Sequence, residues 1–161
     1  MACNVQQYLP PDDSSVQEVE QIVHASLQAI QRTGRRRRAF LPPGQIELIV
    51  VAKDGHQLSL IGYQRKGGDF ITELHHADTK LRALHTHEGH ENPEPKRGPV
   101  DGCHMHFPTI KHPLVWGRAS YAYALDCQVP SETIDYVRLF CMELDIVIIE
   151  AQPPLPRRGL V

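Results

Sequence analysis

Apolar and polar positions change rhythm along this chain, first at the spacing of a helix and then at the spacing of strands. Val16, Val19, Ile22, Val23, Leu27 and Ile30 recur at three- and four-residue steps, which gives one apolar helix face. Ser14 and Ser15, with Gln17 and Glu18 three residues on, form overlapping capping boxes, and Gly34 suits the position after a helix end. The pattern predicts a helix over 15–32. From Ile46 the texture is that of strands: IELIVVA (46–52) and QLSLIGYQR (57–65) flank Asp54-Gly55, a strong hairpin signal. FITELHH (70–76) follows the turn Lys66-Gly67-Gly68-Asp69, and KLRALHTH (80–87) follows Ala77-Asp78-Thr79, so an antiparallel meander is expected.

A loop over 88–102, rich in Pro, Gly, Asn and charge, precedes two further expected strands, CHMHF (103–107) and RASYAYAL (118–125). After Pro130-Ser131, Ile134, Val137, Cys141 and Leu144 fall on one helical face, and the apolar run at 146–151 is short enough to close a sheet. The expected architecture is α+β: an antiparallel sheet of five to seven strands with an N-terminal and a C-terminal helix packed on it. Residues 1–14 read as a flexible N-terminus, 15–151 as a single domain and 152–161 as a proline-rich tail.

Charge and cysteine content narrow the function classes. A formal net charge of -2 argues against a domain whose whole surface binds nucleic acid, although Arg35 to Arg38 form a local basic run, suited either to a solvated helix end or to phosphate. No apolar run reaches the length of a membrane span and no export signal opens the chain, so no membrane contact and a cytoplasmic location are expected. Cys3, Cys103, Cys127 and Cys141 contain no C-x-x-C pair and read as reduced thiols.

Histidine carries the chemical signal. Six of the ten histidines lie between His85 and His112. His85 and His87 share one face of a strand, as do His104 and His106, with His90 and Glu91 in the loop between the pairs. Such a set suits a divalent ion such as Zn2+, which takes three or four N or O donors, with an open position for water in catalytic sites. It equally suits metal-free acid–base work on a ribose phosphate, with Lys96, Arg97, Lys111 or Arg118 holding the anion. Strand parity sets a condition. If Leu81 and Ala83 point to the core with His85, while Cys103, Met105 and Phe107 do so opposite His104 and His106, the pairs occupy different faces unless a bulge reunites them. His24, His56, His75 and His76 read as ordinary side chains, and His112 as peripheral.

Two resemblances bear on these residues. His85-x-His87-x3-Glu91-x6-Gly98 resembles the first metal-binding motif of the cupins, which implies an ion on His85, His87 and Glu91, although Thr79 replaces the motif's leading glycine and no second motif follows. The strand-borne H-x-H of JAMM-type proteases and PHP phosphoesterases is also present. The Ser-x-x-Asp of the former is absent, however, and the latter need a larger barrel. Over about 85–146, His90-x-Asn92-Pro93, Gly102, His104-x-His106, Trp116 and Phe140-Cys141 resemble a small uncharacterised bacterial family with an H-x-N-P … G-x-H-x-H pattern. Its shared positions are His90, Asn92, His104 and His106. Small proteins of mobile or defence loci are often RNA-cleaving toxins, which by association extends the expectation to a toxin-like nuclease.

The expected function is therefore a histidine-centred phosphodiesterase or ribonuclease, metal-dependent or not. The catalytic candidates are His90, His104, His106, Arg97 and Arg118, and the metal candidates are His85, His87, Glu91, His104 and His106. A non-catalytic zinc-binding or protein-interaction module and a cupin-like small-molecule enzyme are the alternatives.

Overall fold

The computed structural model describes residues 31–35, 44–52, 55–86, 89–93, 98–115, 117–127, 132–146 and 148–149. The strands are β1 (Gln31–Arg35), β2 (Ile46–Ala52), β3 (Gln57–Gln64), β4 (Phe70–His76), β5 (Thr79–His85), β6 (His90–Glu91), β7 (Pro99–Val100), β8 (His104–Phe107), β9 (Tyr121–Ala124) and β10 (Ile148–Ile149). The helix α1 spans Thr133–Glu143. Six strands, in the order β2-β3-β4-β5-β8-β9, form the antiparallel body of the sheet. At its β2 edge β1 adds antiparallel and β10 adds parallel to β1, which makes eight strands, one more than the upper expectation. The helix expected over 15–32 lies outside the described residues except for Gln31 and Arg32, which belong to β1. Arg35 ends that strand, and the rest of the arginine run lies outside the described residues.

Alternation gives the two faces of the sheet different tasks. Leu48, Val50, Leu58, Leu60, Phe70, Leu74, Leu84, Met105, Phe107 and Tyr121 pack with Tyr136, Val137, Phe140 and Cys141 of α1 into one apolar cluster. The helix sits over β3 and β4. Gly62 permits this approach, because a Cβ there would lie 2.4 Å from Cγ2 of Val137. Phe70 stacks on Tyr136 with ring centroids 4.5 Å apart. Burying these side chains is the main source of stability, at about 25 cal/mol per Å² of apolar surface. One cation is buried among them. Arg82, only 3% exposed, lies over the Phe107 ring, donates from Nη1 to the Leu81 carbonyl and leaves its Nε without a hydrogen bond.

The opposite face holds the histidines. A bulge in the β4–β5 ladder pairs Leu74 with Arg82 but His75 with Lys80, so Leu81 is the extra residue. It resets the alternation: Leu81 and Leu84 both join the core, while Ala83 and His85 turn away from it. The parity that would have separated the histidine pairs is broken by this one residue.

The expectation of reduced thiols fails for two cysteines. Cys103 and Cys127 form a disulfide across 24 residues, with Cα atoms 5.9 Å apart. The β8–β9 pairing brings them together, since Cys103 immediately precedes one strand and Cys127 follows the other. No C-x-x-C spacing announces such a long-range pair. A disulfide of this kind is more typical of oxidising compartments than of the cytoplasm. Cys141 is free and buried on α1, where burial pushes its thiol up to about 12.

Candidate metal centre

Register assembles the site. His85 pairs directly with His104, and His104 with Ala124; one step along, Ala83 pairs with His106, and His106 with Ala122. Directly opposed residues share a face, so His85, His104 and His106 stand together, flanked by alanines whose small side chains leave room above the sheet. Thr86 fixes the chain just after His85, its Oγ1 accepting from the Phe70 backbone N–H at 2.9 Å.

The nitrogens of His85, His104 and His106 lie within 4.8 Å of one another. Zinc ligands at 2.0–2.1 Å in a tetrahedron stand about 3.3 Å apart. His104 Nε2 and His106 Nε2 are already closer than that, at 2.9 Å. His85, half-buried, completes the set, its ring centroid 4.5 Å from that of His106 and 5.6 Å from that of His104. The three-histidine group can therefore hold a metal ion.

Outer contacts set the lone pairs. A carbonyl only accepts, so the 2.7 Å contact from His104 Nδ1 to the Gly102 carbonyl puts a hydrogen on Nδ1 and leaves Nε2 bare. Gly102, with φ of 76°, adopts a backbone conformation that favours glycine. His106 Nδ1 lies 3.2 Å from the Ser120 hydroxyl, which can donate or accept. Without an ion, His106 Nε2–H donates to bare His104 Nε2 while Ser120 donates to Nδ1. A bound ion would instead take both Nε2 lone pairs, with Ser120 accepting from His106 Nδ1–H.

Burial disfavours the charged form of His85 and His106. It is the main cause that lowers His106 to about 2, with His85, His104, His90 and Lys80 adding to it. Burial likewise lowers His85 to about 4, helped by His104 and Arg65. His104 is 1% exposed and His106 is 7% exposed. Neutral imidazole is the form that binds a metal.

His90 joins from the β6–β7 hairpin, its ring centroid 4.5 Å from that of His106 and 5.7 Å from that of His104. Its Nε2–H donates to the Ser120 carbonyl at 2.6 Å. Asn92 anchors the same hairpin, accepting the Ala122 backbone N–H at 2.8 Å. This bond caps the outer edge of β9. The hairpin falls within the expected loop, and His90 neighbours the three ligands without belonging to their group.

The remaining candidates are placed as follows. Glu91 is exposed on β6 and stands outside the three-nitrogen group. Arg118 is exposed in the turn that begins at Val115, in the connection from β8 to β9. His112 packs edge-on against Tyr121. His87, Arg97, Lys96 and Trp116 lie outside the described residues. Ser120 was not among the sequence candidates, and a lone serine before a strand carries no signal that would have singled it out. No family model, no curated protein and no solved structure matches this chain.

Proposed function

We propose that the protein is a histidine-centred enzyme that binds one divalent transition-metal ion through His85, His104 and His106 and acts on phosphodiester bonds, with RNA as the substrate to test first. The convergence of three imidazoles on one sheet face is the observation that carries this reading. Three protein ligands leave a tetrahedral ion one position for water, the pattern of catalytic rather than closed structural zinc sites. Bound there, the ion would lower the pKa of that water and polarise a phosphoryl oxygen. His90 stands beside the ligands as a further polar group, and Gly102 and Ser120 orient them.

A metal-free reading is favoured by one observation, the direct Nε2 to Nε2 contact at 2.9 Å, which makes His104 and His106 a hydrogen-bonded base and acid pair. The deciding experiment measures the metal content of tag-free protein, followed by RNA turnover by the wild type, by chelator-treated protein and by His104→Ala and His106→Ala. Stoichiometric metal with turnover lost on chelation and in both variants is the expected result. Turnover that survives chelation but not substitution selects the metal-free pair. Bound zinc, unfolding on chelation and no turnover selects a structural module. Turnover surviving both substitutions refutes the site.

A further inference from the structure

We propose that Arg65, braced by Tyr63, is the anion-binding residue of this site, and that the ligand it takes is the oxyanion of a phosphate ester. This rests on the function proposed above and names the chemistry at the rim of the same site.

Topology places the residue. The C-terminal ends of β3 and β5 and the N-terminal ends of β4 and β8 meet at one end of the sheet. There Tyr63 pairs with Ile71, Ile71 with His85 and His85 with His104, so the tyrosine stands in the same row and on the same face as two of the ligands. Two strand spacings put Tyr63 about 10 Å from His85, backbone to backbone. Arg65 lies two residues beyond Tyr63, which keeps it on that face. Its backbone is pinned by the β3–β4 turn: Arg65 N–H donates to the Asp69 carbonyl at 2.8 Å, and Gly68 N–H donates to the Arg65 carbonyl at 3.0 Å.

Arg65 hydrogen-bonds the Tyr63 phenol, and its charge acts on His85. His85 is the least buried of the three ligands, and it stands at the same end of the sheet as Arg65. Two carboxylates share this face: Glu73 is engaged by Lys80 Nζ at 2.5 Å and by His75 Nε2 at 3.0 Å, which offsets its repulsion of an anion, and Glu47, a row-mate of Glu73, accepts from Ser59 Oγ at 3.3 Å. A guanidinium presents a planar fork that matches two phosphate oxygens, which a carboxylate-rich or apolar rim does not. Arg118, by contrast, belongs to the connection at the far end of the β8–β9 pair from His104.

The test uses the full chain loaded with Zn2+. Inorganic phosphate is titrated by calorimetry and a short fluorescein-labelled single-stranded RNA by anisotropy, for the wild type, Arg65→Ala, Arg65→Lys and Tyr63→Phe. Zinc affinity and thermal melting are read on every variant. Arg65→Ala is expected to weaken both ligands about tenfold or more, and to reduce the salt slope of RNA binding by about one. Zinc affinity and melting stay unchanged. Arg65→Lys recovers part of the loss, since it keeps the charge without the fork. Phosphate binding that needs Arg65, with no RNA binding, supports the anion site and assigns it to a small phosphate ester. Wild type that binds neither ligand, or Arg65→Ala that binds both as tightly as wild type, overturns the inference. If His104-dependent RNA turnover persists in that last case, the proposed function stands and only the role of Arg65 falls. A loss shared by zinc affinity and melting marks a structural arginine and also overturns it.

Discussion

Acidifying the metal-free protein should cost it stability well before its carboxylates titrate. His85 and His106 have folded-state values of about 4 and about 2, against 6.5 for an ordinary histidine, with burial the first cause in both. Below pH 6.5 the unfolded chain therefore binds protons that the folded chain refuses. Stability is fully present above that value and is lost as pH falls toward the folded values. Each histidine costs about 2 kcal/mol at pH 5 relative to pH 8, because 1.5 pH units below the unfolded value translate at about 1.36 kcal/mol per unit. Two groups give about 4 kcal/mol, or about 3 after discounting the half-buried His85 for solvent screening. That is a large fraction of the stability of a domain this size. Urea melts of chelator-treated protein at pH 8, 6.5 and 5 would read it as a midpoint shift of about 1 to 3 M. The double variant His85→Gln, His106→Gln removes both groups and should flatten this window. Wild-type stability that is level from pH 8 to 5, or an unchanged slope in the double variant, would refute the reasoning. Zinc should restore stability at pH 8, with a gain that shrinks at pH 5 as protons compete for the ligands.

Three further outcomes follow from the packing. Gly62→Ala forces a methyl against Val137 Cγ2 and should lower stability by about 1 to 3 kcal/mol, measured by chemical denaturation. Reduction of Cys103–Cys127, or a Cys103→Ser, Cys127→Ser double variant, should cost about 3 kcal/mol for a loop of this length, and thiol counting on protein taken directly from cells would show whether the bond forms there. Arg82→Met should leave stability unchanged or raise it by about 1 to 2 kcal/mol, because it removes a cation that burial lowers to about 9 and that no carboxylate meets among the described residues; a drop of similar size would show that the Phe107 contact outweighs desolvation.

The sheet was legible because its signals are local. Asp54-Gly55 and the Gly67-Gly68 turn announce hairpins, and the alternation in 57–64 and 70–76 survives into register. The C-terminal helix was legible from Ile134, Val137 and Cys141. The two-residue strands β6 and β7 were not, because strands that short depend on the partner rather than on their own residues; the run at 146–151 does close the sheet as β10, but its parallel partner β1 begins inside the expected helix. Of the site, the histidine identities were legible. Whether they met was not, because the answer hung on a single extra residue at Leu81, which carries no bulge signature. Arg65 went unnoticed for a similar reason: it stands 20 residues before His85, and only the strand order β3-β4-β5 brings it to the same rim.

The division of the sheet into two faces explains why a cluster of polar rings is tolerated so deep in a small domain. Had His104 and His106 lain under α1, their nitrogens would have faced Val137 and Phe140, and each unpaired imidazole would have cost roughly 1 to 3 kcal/mol. On the other face the rings meet the Gly102 and Ser120 carbonyls and the Ser120 hydroxyl. The covering hairpin is itself tied down through Asn92 to the open edge of β9. The core below fixes the strands rigidly, and the bulge selects which residues look away from it. A site built this way is held by β5 and β8, which pair directly, so the distance between His85 and His104 is set by the ladder rather than by a loop. His90 arrives from the separate β6–β7 pair, and it stands beside the three-nitrogen group, outside it.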